Sequence, residues 1–116
     1  MNNKNKDSTR YYSDLHEKSV CEALNCIQTP NSGATKFSCA DVYNYNANML
    51  IECKCSMSEK QSFSIKEDWI NKLKKEAWEK RYYNFALCFT FKPEGENYYI
   101  IPERLMKYLI NELTND

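Results

Sequence analysis

The sequence Met49-Leu-Ile-Glu-Cys-Lys54 decides the fold, because it has the pattern of a buried strand with a charged end. Successive side chains of a β-strand point to opposite faces. The odd-numbered residues are all apolar or thiol, so we expect their face to point into the core. The even-numbered residues place Glu52 and Lys54 side by side on the predicted outer face. A carboxylate and an ammonium are therefore expected together on a strand that is otherwise buried.

Residues 41–45 predict a preceding strand, joined by a short Asn-rich turn to the central strand, which is predicted over residues 48–56. Ser64 and Glu67 match a capping box that opens an amphipathic helix. Pro102 stands at a favourable helix start. The other predicted elements are a helix over residues 13–26, a loop over 28–38, a helix over 64–80, strands over 85–91 and 98–101, and a helix over 102–113. The predicted order is α-β-β-α-β-β-α.

A chain of 116 residues is long enough for one sheet with two or three helices. We expect residues 1–10, rich in Asn, Lys, Asp and Ser, to form a flexible N-terminal arm and residues 11–116 to form a single domain. No apolar run approaches the roughly 20 residues of a membrane span, and no signal-peptide core is present, so a cytoplasmic protein is expected. The 16 basic and 16 acidic residues leave no net charge, so the total charge does not indicate a nucleic-acid partner.

Six cysteines raise the question of a disulfide or zinc scaffold. In a cytosolic chain, thiols inside helices and strands are expected to stay reduced and to pack as small apolar groups. The sequence has no CxxC pair, so the ligand spacing for zinc is weak. A cysteine-rich zinc module nevertheless remains an alternative. The cysteines are Cys21, Cys26, Cys39, Cys53, Cys55 and Cys88.

Asp41, Glu52 and Lys54 together have the composition of a site for metal-assisted phosphodiester hydrolysis. The two carboxylates can hold Mg²⁺, which neutralises a phosphate and lowers the pKa of a bound water. The lysine can orient that water or stabilise the negative charge of the transition state. The alternative is an ordinary surface ion pair between Glu52 and Lys54, worth less than about 1 kcal/mol.

Glu17 strengthens the metal interpretation. On a helical wheel of about 100° per residue, it lies within the apolar arc that includes Val20 and Leu24. An inward-facing carboxylate is costly unless a partner compensates its charge. A metal ion is one such partner, and a buried contact with Lys54 or His16 is the structural alternative. His16 itself is predicted to lie on the helix surface or to cap the helix.

Together these residues resemble the motif set of the PD-(D/E)xK nuclease superfamily, specifically the small phage and archaeal Holliday junction resolvase-like endonucleases. The matching positions are Glu17, Asn31-Ser-Gly-Ala34, Asp41-Val42, Glu52-Cys-Lys54 and residues 62–69, and they cover most of the chain. The resemblance implies an α/β, restriction-endonuclease-like three-layer fold, with a central mixed β-sheet flanked by helices. It also implies dependence on Mg²⁺, with Mn²⁺ able to substitute, and a homodimer.

Residue roles are carried over from the resemblance as expectations. Asp41 and Glu52 would be direct metal ligands, joined by the backbone carbonyl of Cys53 and by Glu17 as a further ligand, and Lys54 would be the catalytic lysine. Contacts with DNA would come from Ser32, Gly33, Lys36 and Lys66. The expected function is a Mg²⁺-dependent DNA endonuclease that acts on Holliday junctions or other branched DNA. The alternative is a catalytically inactive, nuclease-like module that binds DNA or a protein.

Overall fold

The computed structural model describes residues 9–29 and 40–115. Within them the chain forms three helices and five strands. In chain order these are α1 (Thr9–Leu24), β1 (Ile27–Gln28), β2 (Val42–Asn44), β3 (Met49–Lys54), α2 (Glu67–Glu79), β4 (Asn84–Phe89), β5 (Tyr98–Ile100) and α3 (Glu103–Thr114).

The five strands form one mixed sheet in the spatial order β1-β2-β3-β4-β5. Strands β3 and β4 run parallel, and α2 is the helix of the crossover that connects them. The other neighbouring pairs are antiparallel. The predicted α/β architecture with a central mixed sheet is therefore confirmed.

Both faces of the sheet are covered, which explains the alternation in β3. Ile51 packs in a core cluster with Val20 of α1, and it is 1% exposed. Leu50, on the opposite face, packs in a second cluster with Leu73 of α2 and is 3% exposed. Burying each aliphatic side chain stabilises the fold by about 1.5–3 kcal/mol. The sheet thus lies between α1 and α2, which is the arrangement of a three-layer α/β protein.

The prediction that Glu52 and Lys54 lie on an outer face of β3 is wrong in one respect. The face that carries Glu52 and Lys54 is covered in part by α2, since Lys54 Nζ lies 4.3 Å from the ring centroid of Trp69. An open outer face was expected because the alternation shows which side chains share a face, whereas the position of the second helix depends on contacts across the sheet.

The starts of two helices and the number of strands differ most from the prediction. Helix α1 begins at Thr9, so the last two residues assigned to the N-terminal arm are helical. Strand β1 is additional to the predicted order, and its two residues are too few to leave a recognisable pattern. Helix α2 begins at Glu67 with Lys66 as N-cap and no side-chain capping bond, so the capping-box prediction is wrong. Acidic residues in the first turn still suit the helix dipole there.

Helix α3 is amphipathic, but only Leu105 of its apolar residues is buried. Four apolar side chains on one side of the helix are 40–80% exposed; they are Met106, Leu109, Ile110 and Leu113. We call these four residues the α3 apolar face. In residues 9–29 and 40–115, no helix combines the length and apolarity required to cross a membrane.

Candidate active site

Asp41 lies at the entry to β2, where the antiparallel pairing of β2 with β3 sets its position. Val42 pairs with Ile51, so Asp41 lies beside the end of β3 that carries Glu52. The Asp41 backbone N–H donates to the Ile51 carbonyl at 3.1 Å. The side-chain Oδ2 accepts a hydrogen bond of 2.8 Å from the backbone N–H of Cys53. One carboxylate oxygen is therefore anchored to the strand that carries the other predicted site residues.

Glu52 and Lys54 lie on the same face of β3, as their spacing predicts. Lys54 Nζ is 3.5 Å from Glu52 Oε2, and the two side chains are 28% and 26% exposed. The Lys54 ammonium also lies over the Trp69 ring, and the face of an indole attracts a cation electrostatically. The pair is thus partly buried and held on two sides, unlike an ordinary ion pair in open solvent.

Glu17 approaches the same region from α1. It is half-buried, and Val20, one turn along the helix, is completely buried. The helical-wheel prediction that Leu24 faces the core is wrong. Leu24 is the last residue of α1, and its side chain is 40% exposed. Glu17 Oε1 accepts a hydrogen bond of 3.0 Å from Gln28 Nε2. The carboxyl groups of Glu17 and Asp41 also lie within hydrogen-bonding reach of each other.

The structural alternative for Glu17 paired it with Lys54 or His16. Within the described part of the chain, no ion pair joins Glu17 to either residue; its closest polar partners are Gln28 and Asp41. A second carboxylate, not a cation, thus faces Glu17.

The pKa values of all three carboxyl groups are raised above their ordinary values. Burial, followed by the charge of Asp41, raises the pKa of Glu17 to about 7. Burial, followed by the charge of Glu52, raises the pKa of Asp41 to about 7. Burial also raises the pKa of Glu52, against the opposing effect of Lys54. Clustered carboxyls with raised pKa values are a typical property of functional sites, although structural networks can share it.

The donor set suits a hard divalent cation, which takes carboxylate and carbonyl oxygens. However, among the residues described, no three or more His, Cys, Asp and Glu side chains are arranged to coordinate one ion. Asp41 faces the Cys53 amide and Glu52 faces Lys54. The residues therefore fit Mg²⁺ by their chemistry, and coordination requires the carboxylates to converge further than they do here.

The DNA-contact predictions fall in two parts of the chain. Ser32, Gly33 and Lys36 lie outside the residues that the structure describes. Lys66 is the N-cap of α2, and its Nζ lies 5.8 Å from the Trp69 ring centroid. The structure thus brings Lys66 and Lys54 to the same indole ring.

Three residues that support the site were not identified from the sequence. Gln28 lies in a predicted loop, Trp69 ends the matching stretch 62–69 without an assigned role, and no pattern assigns a role to Glu76. Glu76 lies between the buried residues Leu73 and Ala77 in sequence and so borders the buried side of α2. That position was the one available signal, since a polar residue at the edge of a buried stripe commonly contacts a neighbouring element.

The prediction for His16 is wrong. Its side chain is 7% exposed, and Nε2 lies 2.9 Å from Asn97 Oδ1 and 3.4 Å from Cys88 Sγ. Burial lowers the pKa of His16. The imidazole therefore joins α1 to the segment before β5 and does not cap the helix.

The cysteines described here are free thiols and give no support to the zinc alternative. Cys21, Cys26, Cys53, Cys55 and Cys88 form no metal-coordinating group within the described ranges. Burial raises the pKa of each of these thiols, so they are poor thiolate nucleophiles. Cys39 lies outside the described residues.

No protein-family model matches this chain, and no curated protein or solved structure is significantly similar to it.

Proposed function

We propose that this protein is a Mg²⁺-dependent endodeoxyribonuclease with a restriction-endonuclease-like fold. The observation that carries the proposal is the meeting of three partly buried carboxyls with a partly buried lysine at one end of β3. Two of those carboxyls come from different elements, α1 and the entry to β2, so the cluster is not a product of local sequence. The motif positions of the PD-(D/E)xK superfamily support the same function.

Asp41, Glu52 and the Cys53 carbonyl would hold the metal ion, with Glu17 as a further or water-mediated ligand. When bound, Mg²⁺ neutralises the scissile phosphate and lowers the pKa of a coordinated water, and Mn²⁺ supplies the same chemistry. A cation in this cluster also relieves the repulsion among the carboxylates.

Lys54 stabilises charge in the proposed reaction. Its ammonium can donate to the attacking water or to a phosphate oxygen as negative charge develops. Trp69 and Glu52 restrict where that ammonium can lie. Preorganised charge of this kind costs little reorganisation during the reaction, which is why its position matters for the rate.

The proposed substrate is DNA, with Holliday junctions or other branched structures as the preferred form. Lys66 can contact a backbone phosphate at the N-terminus of α2, where the helix dipole also favours an anion. Ser32, Gly33 and Lys36 are proposed to contribute further backbone contacts.

The proposal includes a homodimer. The four side chains of the α3 apolar face are exposed in the single chain. Exposed apolar patches of this kind mark association surfaces. Pairing of the same face on two copies is the commonest arrangement of soluble oligomers.

A second candidate is a nuclease-like module that binds DNA or a protein without cleaving it. One observation favours it: within the described residues the carboxylates do not converge on a single ion position. The decisive experiment incubates the protein with end-labelled four-way junction, flap and linear duplex, each in Mg²⁺ and in EDTA. Cleavage in Mg²⁺ alone supports the enzyme. Binding without cleavage in either Mg²⁺ or Mn²⁺ supports the module.

A further inference from the structure

Glu76 reaches from α2 to the backbone immediately before Asp41. Its Oε2 accepts a hydrogen bond of 2.7 Å from the backbone N–H of Ala40. Lys80 Nζ lies 3.1 Å from the same oxygen, and the Glu76 side chain is only 18% exposed. A hydrogen bond to an ionised acceptor is about twice as strong as one between neutral groups.

Thr29 holds the other side of the same segment. Its hydroxyl donates to the Ala40 carbonyl at 2.7 Å, and its backbone N–H donates to the Asp41 carbonyl at 2.9 Å. The Asp41 N–H donates to Ile51. Every backbone donor and acceptor of Ala40 and Asp41 is therefore engaged. This fixes the backbone of Asp41 and the direction in which its side chain leaves the chain.

Glu76 is the charged member of this set and the one that comes from α2. The same helix carries Trp69, which lies about two turns earlier and contacts Lys54. One rigid helix thus contacts the proposed catalytic lysine at one point and the backbone of a proposed metal ligand at another.

We propose that Glu76 is a positioning residue, whose hydrogen bond to Ala40 aims the Asp41 carboxylate into the candidate active site. The inference rests on the proposed function for its effect on catalysis, while its structural part stands on the hydrogen bonds alone. Glu76 is also near enough to Glu52 for their charges to repel, so the test must separate position from charge.

Two substitutions make that separation. Glu76→Asp keeps the charge but shortens the side chain by one methylene, so the carboxylate no longer reaches Ala40. Glu76→Gln removes the charge but keeps an oxygen at the same reach. Glu79→Asp is the matched control, since Glu79 is an exposed α2 residue that pairs with Lys75. Helical content and melting temperature establish that each variant folds.

The first readout is amide hydrogen exchange at Ala40 and Cys53, which requires no activity. We expect Glu76→Asp to speed exchange at both positions, because Ala40 loses its acceptor and the Asp41 carboxylate then shifts from the Cys53 amide. Glu79→Asp should exchange as wild type does, and Glu76→Gln should exchange faster than wild type but more slowly than Glu76→Asp. The second readout is single-turnover cleavage in Mg²⁺. Glu76→Asp should be slower by about 10- to 100-fold, with DNA affinity unchanged, because misplacement of a reacting group by about 1 Å has costs of this size.

Glu76→Gln should lose less of the rate than Glu76→Asp, since a neutral oxygen at the same reach still accepts the hydrogen bond, although more weakly than the carboxylate does. Equal exchange at Ala40 and Cys53 in Glu76→Asp and wild type overturns the proposal. A Glu76→Gln variant as slow as Glu76→Asp also overturns it, because charge would then be the cause. If the wild type itself fails to cleave, the proposed function falls, and the exchange at Cys53 still decides whether Glu76 positions Asp41.

Discussion

The backbone N–H of Cys53 donates a hydrogen bond of 2.8 Å to Oδ2 of Asp41. Cys53 stands between Glu52 and Lys54, so this bond ties the aspartate to the segment that carries the other two functional groups. It also leaves Oδ1 as the oxygen of Asp41 that is not committed to Cys53. An Asp41 side chain anchored through one oxygen can present the other to a cation with little loss of side-chain entropy.

Removing either of the two proposed metal-binding carboxylates should abolish cleavage. We expect Asp41→Ala and Glu52→Ala to lose detectable activity in Mg²⁺ while they still bind DNA, because the phosphate contacts come from other residues. Gel-based cleavage and binding assays on the same DNA measure both properties. Asp68→Ala is the control, since Asp68 is exposed and pairs with Lys72. Near wild-type cleavage by either site variant would show that the metal assignment is wrong.

Lys54→Ala should slow single-turnover cleavage by about 10²-fold or more, the cost of losing one group that stabilises transition-state charge. Lys54→Arg should recover little activity, because a planar guanidinium does not replace a compact ammonium between Glu52 and Trp69. Lys72→Ala, which removes an exposed lysine from α2, serves as the control. Unchanged kinetics in Lys54→Ala would reduce the lysine to a structural ion-pair partner.

At a pH above the Glu17 pKa of about 7, Glu17→Gln should raise the melting temperature in EDTA, because it removes a negative charge that faces Asp41. The amide oxygen can still accept the hydrogen bond from Gln28. The same variant should bind Mg²⁺ more weakly and cleave more slowly. Melting curves with and without Mg²⁺, together with cleavage rates, measure these effects. If the variant is less stable than wild type but matches it in cleavage rate and in the stabilisation by Mg²⁺, Glu17 is not part of the metal site.

The metal-free protein should lose stability as the pH rises. The folded-state pKa values of Glu17 and Asp41 are raised by burial to about 7, from ordinary values of 4.5 and 3.8. The folded state therefore binds more protons than the unfolded state, and this stabilisation is complete below about pH 4 and lost as the pH rises through about 7. Melting temperatures in EDTA from about pH 5 to about pH 8 should fall because of these groups, less steeply in Glu17→Gln, and Mg²⁺ should offset the fall. A pH-independent melting temperature in EDTA would contradict the raised pKa values.

The α3 apolar face should mediate self-association. Leu113, which is 80% exposed, can be replaced by Glu with little effect on the single chain, so Leu113→Glu should shift a dimer toward monomer without lowering helical content. Tyr108→Glu is the control, since Tyr108 is similarly exposed but points away from that face. Sedimentation velocity over a range of concentrations measures both. A wild type that remains monomeric at high concentration would exclude the homodimer.

The sequence predicted those parts of the fold that depend on local periodicity. The alternation of residues 49–54 showed which side chains of β3 share a face, and the helical wheel placed Glu17 toward the sheet. Contacts between segments that are distant in sequence could not be predicted from these local patterns. His16 is buried because Asn97, 81 residues away, supplies a partner. Glu76 contacts Ala40 across 36 residues, and the sequence around either residue has no local pattern that predicts this contact.

Among the described residues, the two edges of the sheet are formed by very short strands, since β1 has two residues and β5 has three. An edge strand can recruit another chain only through the row of unpaired N–H and C=O groups that it displays. With so few such groups at either end, the sheet is a poor template for the addition of strands from neighbouring molecules. Short edges of this kind disfavour the edge-to-edge strand pairing from which fibrils grow, even though apolar side chains are exposed elsewhere on the surface.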